Sequence, residues 1–460
     1  MAPEAKGVNR PYVESNLSDV FTAADLSNKA WVREDTAILV FHGVGNQNPL
    51  ETLDTFARGL LKAFGKYGGH DQESLTLSHH LAKKSTDSNS VWFDNFIRIT
   101  CNSTKTHLDI YEYYWANYAQ DRVSITDMQD WVESVAKGAS DFYEQKNFIE
   151  RHGDQSFFTK NGQFQKNRYK WTLKIALIAI PLLTKTTEAC LNLLRRIPLI
   201  GPFAYSGYQR LQKTFFSLLT NIAGDVVAYN VTDVKKELYQ VRRRILLGAV
   251  KALKYLIEPR LDSVTNQKKL PYGKVVIAAH SLGSQVSFDA INRLSHLIAH
   301  GEVEGVDIDG HLQSSQGDKI HISELLSGYA TFGCPLDKIA FFFRERTQKK
   351  AFLKRQMIEH FHCFKEKDWQ ATLGPAEFKL NSTLPRYFQD ISWRNYYDTN
   401  DAVSGHLDYY NNVVNLNCCF IKRDCNERKR FLSNLYPFTH SRYWDHPELF
   451  GDIIANLLLK

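Results

Sequence analysis

The sequence predicts an α/β fold: a mostly parallel central sheet with helices on both faces and a large helical cap inserted into it. Three observations lead there. Short β-rich runs alternate with segments of helical spacing along most of the chain. Two of those runs, Thr36 to Phe41 and Val275 to Ala279, are each followed by a tight small-residue turn and then a helical pattern. Between them lies a long stretch of different composition that interrupts the alternation. Folds of this class place their sites at the carboxyl ends of the strands.

In chain order, "TAILVFHGVG" (Thr36 to Gly45) reads as a strand and a glycine-bearing loop, and "LETLDTFARGLLKAF" after it as an amphipathic helix. "DNFIRITCN" (Asp94 to Asn102) and "HLDIYEYYWAN" (His107 to Asn117) read as two more strands, with a helix expected near the capping residues Ser124 and Thr126. From about Asp141 to Gly224 the pattern shifts to Lys, Asn, Gln and aromatic residues, then to apolar segments broken at Pro181, Pro198 and Pro202. That stretch reads as an insertion, so the chain divides into an N-terminal stretch of the core over residues 1-140, a basic and apolar cap over 141-224, and the remaining core over 225-460. Val231 to Pro259 reads as a long amphipathic helix, with Val234, Leu238, Val241, Ile245 and Val250 near one face. "GKVVIAAHSLGSQVSFDAINRLSHLIAH" is strand, sharp turn and helix; "LSGYATFGCPLDK", "WRNYYDTNDAVSG" and "NVVNLNCCFIK" each add a strand with a loop beyond it.

A 43% hydrophobic and 13% aromatic content is ample for a buried core, which excludes disorder for the bulk of the chain. The net charge of +7 is modest but local: ten Lys or Arg stand between Phe158 and Lys213 against one acid, Glu188. Long aliphatic runs separate those cations, which argues against nucleic acid. An apolar surface edged with cations suits an anionic lipid interface, so residues 158-213 are the expected peripheral membrane contact. The competing expectation is that Trp171 to Leu219 packs on the core as ordinary helices. The longest apolar stretch, Ile175 to Leu183, falls short of the roughly 20 residues that span a bilayer. Seven scattered cysteines read as reduced and mostly buried, and the first residues hold no apolar run of signal-peptide length, so a cytoplasmic location is expected.

A serine hydroxyl becomes a nucleophile only when it is sharply exposed, placed beside a base and faced with donors for the oxyanion. Ser281 in "AHSLG" meets the first demand, with the small residues Ala279 and Gly283 two positions to either side where a strained strand-to-helix turn needs them. One oxyanion donor would be the N–H of Leu282, at the start of the following helix. The other would come from "FHGVGNQ", with Val44 the first choice and His42, Gly43 and Gly45 lining the substrate. The orienting acid and the base must follow the serine in the chain. Asp401 is preferred as acid over Asp337 and Asp398, because it sits in a polar loop beyond a strong strand. His440, beyond the last strand and ahead of the closing helix, is preferred as base over His406 and His446.

Taken in order, "FHGVGNQ", "AHSLGSQVSFDAI", "TFGCPLDK", "WRNYYDTNDAVS" and "THSRYW" make the chain resemble the α/β-hydrolase superfamily. Within it the chain is similar to the lipase branch, including intracellular DDHD-type phospholipases with comparable "HGVG", "GDVVAYN" and "GKVxxxxHSLGS" segments. The likeness covers about residues 30 to 60 and 220 to 450. Ala279 stands where the usual motif has glycine, and no metal-binding cluster of the DDHD kind is evident. The resemblance implies Ser281, Asp401 and His440 as triad and Val44 and Leu282 as oxyanion donors. The expected function is therefore cleavage of lipid or other long-chain acyl esters through an acyl-enzyme, with no metal or organic cofactor. An acyltransferase or thioesterase would use the same residues, and a binding module on a hydrolase scaffold is the non-enzymatic alternative. Nothing in the sequence fixes the oligomeric state.

Overall fold

The computed structural model describes residues 15–22, 25, 26, 28–43, 48–71, 73–81, 95–119, 229, 237–262, 266–314, 316–336, 363, 364, 385–398, 401, 404–407, 412–420 and 439–460. Its centre is an eight-stranded sheet. The strands are β1 (Thr36–Phe41), β2 (Leu75–Leu81), β3 (Asn95–Cys101), β4 (His107–Tyr113), β5 (Lys274–His280), β6 (Leu326–Phe332), β7 (Ser392–Tyr397) and β8 (Val413–Asn417). Across the sheet they lie in the order β8-β7-β6-β5-β1-β4-β3-β2. β3 runs antiparallel to both its neighbours, and the other pairings are parallel. The mostly parallel α/β architecture expected from the sequence is the observed one. β1 to β4 come from residues 1-140 and β5 to β8 from 225-460, so both flanking stretches build one sheet. The expected cap, 141-224, lies outside the described residues.

Among the described residues four longer helices cover the sheet: α1 (Glu51–Gly68), α2 (Glu237–Ile257), α3 (Leu282–Ala299) and α4 (Pro447–Ile453). Strand periodicity decides which helices meet which face. Ala37, Leu39 and Phe41 of β1 and Val275, Ile277 and Ala279 of β5 pack with Val241, Ile245, Leu253, Val286 and Leu294 of α2 and α3. Ile38, Val40, Val276 and Ala278 point the other way, into a core with Phe56, Leu60 and Phe64 of α1 and Leu449 and Phe450 of α4. β1 is buried along its whole length, which is why it reads as an unbroken apolar run. α1 and α4 touch closely at Gly59, where a Cβ would fall 2.3 Å from the Phe450 ring.

The helix expected at 231–259 is described from Glu237, and "LTLSHHL" forms β2, a strand not expected from the sequence. β2 is an edge strand buried chiefly at Leu75, so its mixed polar sequence lacks the apolar signal of the central strands. The expected helix near Ser124 and the basic segment 158-213 lie outside the described residues. Among the described residues no helix is long and apolar enough to cross a membrane, and Cys101, Cys334, Cys363 and Cys418 are buried thiols while Cys419 is exposed.

Candidate active site

The register of the central strands brings their ends level. Phe41 pairs with Ala279, and Phe332 pairs with both His280 and Tyr396. The loops leaving β1, β5, β6 and β7 therefore converge at one edge of the sheet, the edge at which parallel α/β folds place ligands.

Ser281 is the turn between β5 and α3. Its φ of 53° and ψ of −130° lie outside the regions that a side-chain-bearing residue prefers, so the backbone there is strained. The turn is held from below, since the Ser281 N–H donates to the Phe332 carbonyl at 3.0 Å and the Ser281 carbonyl accepts from Ser284 N–H at 2.9 Å. It is also held from the side. A Cβ on Gly283 would lie 2.4 Å from the His42 carbonyl oxygen, so only glycine lets α3 start this close to the end of β1.

His440 lies in the first turn of a 3₁₀ helix, Thr439–Asp445, and its Nε2 lies 2.7 Å from Ser281 Oγ. Its Nδ1 lies 2.8 Å from Asp401 Oδ2. With Asp401 ionised, Nδ1 carries the proton and donates, which leaves Nε2 free to accept from the serine hydroxyl. The Asp401 side chain is buried, and Oδ2 also accepts from Tyr443 Oη at 2.9 Å. Tyr443 is kept in its neutral, donating form because burial, and then the Asp401 charge, push its phenol well above the ordinary range. A second hydroxyl, Ser404 Oγ, lies 2.9 Å from Tyr443 Oη. Beneath the His440 ring is Gly333, at φ 63°, where a Cβ would fall 2.9 Å from His440 Cε1.

The other candidates separate by geometry. Asp398 turns its carboxylate to the Phe420 N–H at 2.7 Å, a loop-stabilising bond. His446 Nδ1 is 3.3 Å from Glu448, and the His406 ring stands edge-on to Tyr397. Asp337, Val44 and Gly45 lie outside the described residues. Leu282 begins α3, where helix geometry gives its N–H no intrahelical acceptor.

His42, expected beside the substrate, lies inward at the end of β1. The ring is fully buried, its Nε2 accepts from Trp115 N–H at 2.9 Å, and its Nδ1–H donates to the Gly43 carbonyl at 2.7 Å. The indole of Trp115 stacks on it at 4.9 Å and donates to the His42 carbonyl at 3.2 Å. Burial pulls the imidazole down to about 4, so it stays neutral and fixes the path of the chain leaving β1. Gly43 makes room at the same place, since a Cβ there would lie 2.8 Å from Ser281 Cβ.

Tyr443, Gly333 and His280 stand outside the residues expected from the sequence. A tyrosine three residues past a candidate base, in "THSRYW", is the one local hint of the first. No family model, curated protein or solved structure matches the chain.

Proposed function

We propose that the protein is a serine ester hydrolase of the α/β-hydrolase type, cleaving lipid or other long-chain acyl esters through an acyl-enzyme. The observation that carries this reading is the unbroken chain from Ser281 Oγ to His440 Nε2 at 2.7 Å and from His440 Nδ1 to Asp401 Oδ2 at 2.8 Å, set on a strained turn at the carboxyl edge of a parallel sheet. The order serine, acid, histidine along the chain is that of α/β-hydrolases.

In the reaction proposed, His440 accepts the Ser281 proton as Oγ attacks the ester carbonyl, and Asp401 stabilises the imidazolium so formed. The N–H groups of Leu282 and Val44 are assigned to the oxyanion. His440 then returns the proton to the departing alcohol, and water repeats the sequence to release the acid. Preference for lipid rests on the basic, apolar composition of residues 158-213, which would form the cap and its peripheral contact with a membrane.

The test is hydrolysis of short- and long-chain p-nitrophenyl esters and of phospholipid vesicles by wild type and Ser281→Ala, with fluorophosphonate labelling alongside. Turnover and labelling that vanish in the variant support the reading, and long-chain or vesicle rates above short-chain rates support lipid. Folded wild type that neither turns over nor labels sinks it. An enzyme whose serine labels but which, given an ester substrate, passes the acyl group to an added alcohol or thiol faster than to water is a transferase instead.

A further inference from the structure

His280 immediately precedes the nucleophile, yet its side chain is directed to the base. The Nε2–H of His280 donates to the backbone carbonyl of His440 at 3.0 Å. Its ring lies against the His440 ring at 4.9 Å, against Trp444 at 5.1 Å and against Phe332 at 5.3 Å, and the residue is buried. One imidazole thus ties the strand that bears the serine to the turn that bears the histidine.

We propose that His280 is a positioning residue for the Ser281–His440 pair, acting through the carbonyl of His440 in the ester-hydrolase reaction on which this inference rests. The reason is geometric. Asp401 holds the far nitrogen of the His440 ring, and Gly333 leaves room beneath it. Neither fixes the backbone of His440 relative to Ser281. The His280 bond does so over a very short path, because His280 and Ser281 share a peptide and their Cα atoms cannot separate. A nucleophile and base that must meet at hydrogen-bond distance are sensitive to such a link, since a displacement of about 1 Å costs on the order of 100-fold in rate.

The chemistry requires that His280 stay neutral while its neighbour takes a proton. A second cation against the His440 imidazolium would oppose base catalysis. Burial, and then the nearby His440 ring, pull His280 down to about 3, so it remains an uncharged donor throughout the cycle. Phenylalanine at 280 would keep the ring packing and remove the donor. Glutamine would return an N–H without the ring.

The experiment compares wild type with His280→Phe and His280→Gln by steady-state kinetics and fluorophosphonate labelling, and follows the imidazole ring protons of the wild type by nitrogen-edited NMR. The expected result is a kcat and a labelling rate about 10- to 100-fold lower in His280→Phe with KM within about twofold, and partial recovery in His280→Gln. In the wild type the Nε2 proton of His280 should persist from pH 5 to 8. Wild-type turnover matched within twofold by His280→Phe, or an unprotonated His280 Nε2, overturns the assignment while leaving the ester-hydrolase reading intact. Absence of turnover and labelling in folded wild type overturns that reading, and the catalytic meaning of His280 with it. Should His280→Phe fail to fold, His280→Gln and the ring-proton spectrum decide between the same outcomes.

Discussion

Tyr443 and His440 donate to the same oxygen of Asp401, at 2.9 and 2.8 Å. The shared acceptor holds the carboxylate from two sides, and it separates two effects that mutation of the site would otherwise merge. Asp401→Asn should lower kcat about 10⁴-fold, because an amide no longer selects the productive tautomer of His440. Tyr443→Phe leaves the charge in place, so its expected cost is chiefly in stability, about 1.5 to 3 kcal/mol for a bond to an ionised group. Kinetics and urea midpoints of both variants check the division; equal losses of kcat would contradict it.

Gly333→Ala should press directly on the His440 ring. The added methyl would enter the space 2.9 Å from His440 Cε1, at a backbone angle of φ 63° that alanine adopts only with strain. The expected outcome is a fall in kcat with KM nearly unchanged and a loss of about 1 kcal/mol in stability. A variant as active as wild type would mean that His440 has freedom the structure does not show.

The strained turn at Ser281 predicts a difference in stability between two substitutions. Both Ser281→Ala and Ser281→Gly remove the hydroxyl, but only glycine accepts φ 53° and ψ −130° without a steric cost. Ser281→Gly should therefore be the more stable of the two variants, by about 1 kcal/mol. Equal urea midpoints would place the strain elsewhere.

Glu112, on β4, carries the pH prediction. Burial pushes its carboxyl up to about 7, against bonds that favour the ionised form, among them the Leu50 N–H at 2.9 Å. Its Oε1 is buried with no hydrogen-bond partner among the described residues. Because the folded-state value lies above the unfolded one, near 4.5, the folded protein prefers the protonated acid. Its stabilising contribution is complete below pH 4.5 and is lost as pH rises through 7, a change of about 3 kcal/mol. Glu112→Gln should thus gain stability relative to wild type as pH rises from 5 to 8, read as urea midpoints at several pH values. A difference independent of pH would refute the assignment.

How far this site can be read from sequence differs residue by residue. Ser281 is legible because a strand-to-helix turn needs small neighbours, and Ala279 and Gly283 are visible as letters. The preference for Asp401 over Asp398 rests on its polar loop beyond β7, but what separates the two is what their carboxylates face, Phe420 N–H for Asp398 and His440 for Asp401, and that contact comes from a distant stretch of the chain. The surroundings of His42 are hidden for a related reason: its position beside Gly43 is visible in the sequence, while its stacking on Trp115, 73 positions later, is not. Tyr443 and His280 follow no spacing rule, because their partners come from distant stretches of the chain. The central strands announce themselves by burial on both faces, and β2, at the edge, does not.

The distances along the chain between the converging side chains bear on how the protein reaches its working state. Ser281 and His440 are 159 positions apart, and closing so long a loop is entropically costly until the intervening elements are in place. The buried pair of Arg394 on β7 with Asp452 on α4, bidentate and joined by Tyr396 Oη at 2.6 Å, is what clips the last helix to the sheet just beyond the base. A refolding chain could have its central strands assembled and still lack a base beside the serine. Regain of fluorophosphonate reactivity would then trail regain of sheet signal, making the chemistry of one hydroxyl a stringent reporter that the whole molecule has folded.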